Sequence, residues 1–265
     1  MNFKKSILFI LILSMLSLAI VGCSKPSEEI IAPEENIEEK LNELKIVAST
    51  SWTALMAEAA GGNNVTIIAP VELRHPPEYD FKPSDIQKIQ EADWIIMAGY
   101  EPFMNKILES NDISEEKIIK VTTTNTYDNL VEQTRLIAEK LDTVDLQQEW
   151  EAEFTNAFDM IMGKAADNKV ENTRVLVHTH MAAFTRALGY DVIEVFGAEE
   201  LSPAKMGELA NLKPDLIIDN YHNPQGMTIA ELSGAKRVEL RNFPGPEHGS
   251  LIELFLDNAS KLDIN

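Results

Sequence analysis

The sequence predicts an α/β fold with two βαβ-type lobes. Each has a mostly parallel sheet, one long backbone helix joins them, and a ligand cleft lies between. Three observations carry this reading. Short apolar runs alternate with stretches of helical periodicity on both sides of the middle of the chain. From Tyr127 to Lys169, apolar residues keep helical spacing with no proline and only Gly163 as an interior break. Finally, all five histidines fall at or beyond the carboxyl ends of predicted strands, where the loops of a parallel sheet converge on a crevice.

In chain order, "LKIVAST" reads as a strand, "SWTALMAEAAG" as a helix and "NVTIIAPV" as a strand. "KPSDIQKIQEA" is a helix beginning near Pro83, because proline suits the first helical position. "DWIIMAG" is a strand, followed by the apolar run "KIIKVTT". After the long helical stretch the alternation restarts with the strand "TRVLVHTH", the helix "MAAFTRALG" and the strand "YDVIEVFG". A helix follows Ser202-Pro203, then the strand "PDLIIDNYH", a short helix, the strand "KRVELRNF" and a last helix from about Gly249. The expected organisation is a first lobe over residues 44–126, a linking helix over 127–169 and a second lobe over 170–265.

Residues 1–43 read differently. Lys4 and Lys5 precede the apolar run "SILFILILSMLSLAI", too short for a comfortable membrane span, and "IVGC" closes it. Residues 1–22 are therefore predicted to be an export signal. The "IVGC" ending resembles a bacterial lipobox, which implies lipidation of Cys23 as the mature N-terminus and an anchor at the outer face of the cytoplasmic membrane. Residues 23–43 are rich in Glu and Pro and read as an acidic flexible tether. A lone cysteine excludes an internal disulfide framework and a thiolate-rich zinc site. With 43 acidic against 23 basic residues the formal charge is −20, and removal of Lys4 and Lys5 with the signal brings it to −22. Such a surface repels phosphates, so no nucleic-acid partner is expected.

The histidines are the candidate ligands: His75, His178, His180, His222 and His248. Taken singly, each has an ordinary structural reading. His75 suits a solvent-facing loop, His222 could cap the turn "HNPQG", and His248 could belong to a flexible loop. His178 and His180, two apart in extended chain, point to the same side and could support one another. Their shared position points instead to a metal site. Neutral imidazole is the commonest protein metal ligand, and three or four around one cleft suit zinc, at about 2.0–2.1 Å per bond. A nitrogen-rich set, with Glu200 or Glu247 as a possible oxygen donor, favours Zn2+ over Mn2+, which prefers carboxylate and water, although other divalent transition metals would also fit.

Over roughly Leu44 to Asn258 the chain resembles the substrate-binding lipoproteins of bacterial zinc and manganese ABC importers, the cluster with a rigid helix between its lobes. The segments that carry the resemblance are "HPPEYDFKPSDIQKIQEADWIIMAG", "VHTHMAAFTRALGYDVIEVFG", "LSPAKMGELANLKPDLIIDN" and "FPGPEHGSLIELFLDN". The resemblance implies an extracytoplasmic, monomeric carrier that captures a metal between its lobes and delivers it to an ABC permease, with no chemistry on the cargo. It also implies four ligand positions, and the sequence departs from them. The first aligns with Pro77, two residues from His75, and the second falls in "TTTNTYDN", which has no histidine. The third aligns with His178 and the acidic fourth lies near Asn242. A site relocated mostly to the second lobe is the expectation.

Three other readings were open on the sequence: a relative whose remodelled cleft binds a non-metal ligand, a surface adhesin, and a zinc hydrolase. The last has little to recommend it, since the chain has no HExxH motif, phosphate loop or G-x-G-x-x-G. The protein is not expected to be an enzyme.

Overall fold

The computed structural model describes residues 44–197 and 199–264, so the export signal expected over 1–22, the lipidation expected at Cys23 and the tether expected over 23–43 lie outside the described residues. In the first lobe, β1 (Ile46–Ala48), β2 (Thr66–Ile67), β3 (Trp94–Met97) and β4 (Ile118–Lys120) form a sheet in the order β2-β1-β3-β4, every pair parallel. Parallel neighbours need crossovers, and helices α1 (Ser51–Ala59), α2 (Pro83–Glu91) and α3 (Pro102–Ser110) supply them. Every residue of α1 except Glu58 is buried, as expected of a helix that is apolar all round and covered on all sides. Helix α2 starts where Pro83 presets the backbone, and Asp85 accepts the Lys82 N–H at 2.9 Å. Helix α3, in "EPFMNKILES", was not assigned from the sequence. Pro102 sits at its first position and Phe103, Met104 and Ile107 are its buried face.

The stretch from Tyr127 to Lys169 is helical as expected, but it is divided. Helix α4 (Tyr127–Leu141) ends at Asp142, whose φ of 62° is left-handed, and α5 (Val144–Asp167) starts beyond Thr143. The interruption is stabilised where the Thr143 hydroxyl donates to the Ala60 carbonyl at 2.5 Å, tying the turn to the end of α1. At 24 residues, α5 is about 36 Å long at 1.5 Å per residue, enough to run along both lobes. Phe154 at its middle is fully buried, with the Trp150 and Tyr127 rings stacked at 4.9 and 5.3 Å and Phe255 edge-on at 5.0 Å.

In the second lobe, β5 (Arg174–His178), β6 (Asp191–Phe196), β7 (Leu216–Asn220) and β8 (Lys236–Leu240) pair in the order β6-β5-β7-β8, again all parallel. This repeats the strand order of the first lobe, although no internal repeat is visible in the sequence. Its helices are α6 (Ala182–Ala187), α7 (Pro203–Asn211), α8 (Met227–Ser233) and α9 (Leu251–Lys261). Ser202 and Ser250 cap α7 and α9 by accepting the N–H three residues on, which sets the start of each.

One hydrophobic cluster runs from Trp52 and Met56 of α1 through Phe154 and Ile161 of α5 to Val175 of β5 and Phe255 of α9. The lobes thus share a core, and the linking helices are part of it. In each sheet the strand order reverses between the two central, parallel strands, β1 and β3 in one and β5 and β7 in the other. Ligand crevices form at such switch points. Among the described residues, no helix is long and apolar enough to cross a membrane.

Candidate functional site

A cavity of about 700 Å³ opens between the lobes. The first lobe lines it with Trp52, Arg74, His75, Pro77, Glu78, Tyr100, Thr123 and Asn125; the second adds His180, His222, Asn223, Asn242 and Phe243. Every one of these residues lies beyond the carboxyl end of a strand. Three of the five candidate histidines, His75, His180 and His222, therefore face one space. Of the four positions that the importer resemblance singled out, three are represented there, by Pro77, by Thr123 and Asn125 within "TTTNTYDN", and by Asn242; the third, His178, is not.

His178 and His248 are not part of the lining. His178, the last residue of β5, is fully buried, and its Nδ1 accepts the His180 backbone N–H at 3.3 Å. Its ring lies against Gly197, where a Cβ would come within 2.4 Å of it, and against Phe196 edge-on at 5.7 Å. Burial, with the nearby His180, lowers its pKa to about 4, so the ring is neutral at ordinary pH. A neutral ring accepting at Nδ1 carries its proton on Nε2, and that buried nitrogen has no partner. His178 therefore supports the His180 backbone and does not present a lone pair to the cleft. His248 braces its own loop: Nδ1 accepts from the Gly245 N–H at 3.0 Å, and Nε2 lies 3.3 Å from an Asp257 carboxylate oxygen.

His222 is held by the sheet beneath it. Asp219, fully buried at the end of β7, accepts the N–H groups of Asn220, Gln225 and Gly226 and pairs with Arg237. This turns the chain, and Asn220 Oδ1 then accepts the His222 N–H at 2.6 Å. Both His222 ring nitrogens meet carbonyl oxygens, Nδ1 at 2.9 Å from Arg74 and Nε2 at 3.3 Å from Phe243. The first of these crosses between the lobes. Arg74 returns the link by donating to the Tyr221 carbonyl at 3.0 Å, and Ser51 donates to the Pro244 carbonyl at 3.0 Å. Arg241 lies 3.8 Å from the centre of the Tyr221 ring, so that ring is fixed by a cation on its face.

The ring nitrogens of His75 and His180 make no hydrogen bond among the described residues, and both side chains are exposed to the cleft. Partial burial lowers the His180 pKa, which favours the neutral, ligating form. Among the described residues, however, no group of three His, Cys, Asp or Glu side chains comes together closely enough to hold a metal ion. Glu247 pairs with Arg241 at 2.9 Å and Glu200 does not line the cavity, so neither completes such a group. The polar lining residues that the sequence did not single out are Arg74, Glu78, Tyr100, Thr123, Asn125 and Asn223. Asn125 is 5% exposed and neither atom of its side-chain amide has a partner. The only signal for it was its place within "TTTNTYDN", where a histidine was expected.

Residues 46–159, which make up the first lobe and most of the linking helices, match the model of the family described as ZnuA, zinc-uptake complex component A, periplasmic. No curated protein matches the chain. Among solved structures, the Mn-bound periplasmic metal-binding protein of Candidatus Liberibacter asiaticus is 16% identical with a TM-score of 0.66, covering 82% of this chain and 97% of that one. The same protein bound to Cd is 15% identical over the same shares, also with a TM-score of 0.66. The binding protein FpvC of P. aeruginosa, in complex with Ni2+, is 17% identical with a TM-score of 0.66, covering 83% of this chain and 95% of that one. These descriptions are of binding proteins, not enzymes. The resemblance read from the sequence is borne out: residues 46–159 match the model of the periplasmic component A family of zinc-uptake complexes, and over four-fifths of its length the chain has the fold of periplasmic metal-binding proteins.

Proposed function

We propose that this protein is the extracytoplasmic binding component of a metal ABC importer, anchored through Cys23, that captures a divalent transition metal between its lobes and delivers it to a permease. The observation that carries the reading is an interlobe cavity bearing imidazoles from both lobes, His75 from the first and His180 and His222 from the second. Coordination that uses both lobes couples capture to closure, because the metal then adds a bond between them. Nitrogen donors favour zinc, and the family description supports that choice; the Mn, Ni and Cd in the similar structures support a site open to other divalent ions. His75 and His180 are the proposed ligands. His222 joins them once one of its ring nitrogens leaves its carbonyl partner, and His178 keeps His180 in place.

The test is thermal unfolding of the purified full-length chain with Zn2+, Ni2+, Co2+ or Mn2+, since a ligand that binds only the folded state stabilises it, by ~2.7 kcal/mol at a hundredfold excess over Kd. Zinc should give the largest rise, and His180→Ala should abolish most of it, whereas replacing Glu35 of the tether should not. No rise with any of the four metals would overturn the proposal.

A further inference from the structure

The cleft's lining does not suit a bare ion. Only His75 and His180 offer imidazole nitrogens that no hydrogen bond already occupies, and no three ligating side chains come together among the described residues. Structural zinc takes four ligands. The space, about 700 Å³, is within the range of small-molecule sites and far beyond what one ion fills. Its charged groups are one cation, Arg74, and one anion, Glu78, in a chain whose formal charge is −20. Arg74 uses one guanidinium nitrogen on the Tyr221 carbonyl, and the fork has further donors. Asn125 places a nearly buried amide against the same space with both Nδ2 and Oδ1 unpartnered. An amide so placed costs free energy unless a ligand satisfies it.

Resting on the metal-carrier reading above, we propose that the cleft takes its metal as a complex with a small carboxylate-bearing chelator. The imidazoles of His75 and His180 ligate the metal, and Arg74 and Asn125 hold the chelator's carboxylates. The chelator supplies the ligands the protein lacks. It also offsets the metal's charge, which Arg74 would otherwise repel. The carboxylates accept from Arg74 and from the Asn125 Nδ2, and a hydroxyl or amine on the chelator serves the Asn125 Oδ1.

The test is calorimetric titration of the full-length chain in detergent with Ni2+, with citrate, and with the preformed 1:1 Ni2+–citrate complex. The complex should bind at least about tenfold more tightly than Ni2+ alone, the worth of one satisfied buried amide. Asn125→Leu should remove that advantage without lowering the Tm of the ligand-free protein, because it deletes an unpartnered polar group. Ni2+ alone binding as tightly as the complex would overturn this inference while leaving the metal carrier intact. Citrate alone binding as tightly as the complex would overturn it in favour of an organic anion. An unchanged preference in Asn125→Leu would remove Asn125 from the site and overturn the assignment. Binding of none of the three would sink both this inference and the carrier proposal.

Discussion

Gly197 is where a single methyl group should report on the whole site. Its φ of +83° lies in the left-handed region, and a Cβ there would come 2.4 Å from Cδ2 and 2.5 Å from Nε2 of His178. The backbone conformation alone costs an L-residue about 1–2 kcal/mol. Displacing a fully buried ring adds ~1–3 kcal/mol of overpacking. Gly197→Ala should therefore destabilise by about 3 kcal/mol, which for a chain of this size lowers Tm by roughly 10 °C. Because the His178 ring accepts the His180 N–H, the displaced ring should also shift His180 and weaken metal binding. In a His178→Ala background the overlap disappears, so the same substitution should cost only the backbone part, ~1–2 kcal/mol. The assay is a double-mutant cycle by chemical denaturation, with a metal titration on each variant. Equal costs of Gly197→Ala in the two backgrounds would refute the claim that His178 fills the space beside Gly197.

Further outcomes follow from neighbouring features. His178 has a folded pKa of about 4, lowered by burial, against about 6.5 in an unfolded chain. Between these values the unfolded state binds the extra proton, so metal-free stability should fall as pH drops from about 6.5 toward 4 and hold steady above 6.5. Denaturant midpoints across pH 4–8 check this, and His178→Gln should flatten that part of the profile. Phe154→Ala, at the centre of the ring stack on α5, should cost about 3–5 kcal/mol and should unfold both lobes in one transition because they share its core; two separate transitions would contradict the shared core. Arg74→Ala removes the guanidinium link from the first lobe to the Tyr221 carbonyl, worth ~1 kcal/mol, and should speed metal release about fivefold in a stopped-flow chelator chase. An unchanged release rate would mean that this link does not hold the lobes closed.

Much of the architecture could be read in advance because it depends on local rules. Period-2 and period-3.6 patterning placed the strands and most helices, and Pro83 and Ser202-Pro203 marked helix starts. Helix α3 escaped because its apolar face is only three residues, and the break at Asp142 escaped because an aspartate in the left-handed region leaves the apolar spacing around it undisturbed. The histidines were rightly placed at strand ends, but strand ends do not say which way a ring faces.

From the residues alone came two α/β lobes, an interlobe helical link and histidines at or beyond the carboxyl ends of parallel strands. Covalent spacing and hydrophobic periodicity act over a few residues, so a single chain carries them plainly. Which side chains meet was decided only in three dimensions. His180 lines the cavity while His178 lies beneath it, both His222 ring nitrogens find carbonyls 148 and 21 residues away in the chain, and Asn125 is left nearly buried without a partner. These outcomes depend on packing between segments brought together by two sheets and a shared core, and no local pattern encodes the direction of a ring or the absence of a partner.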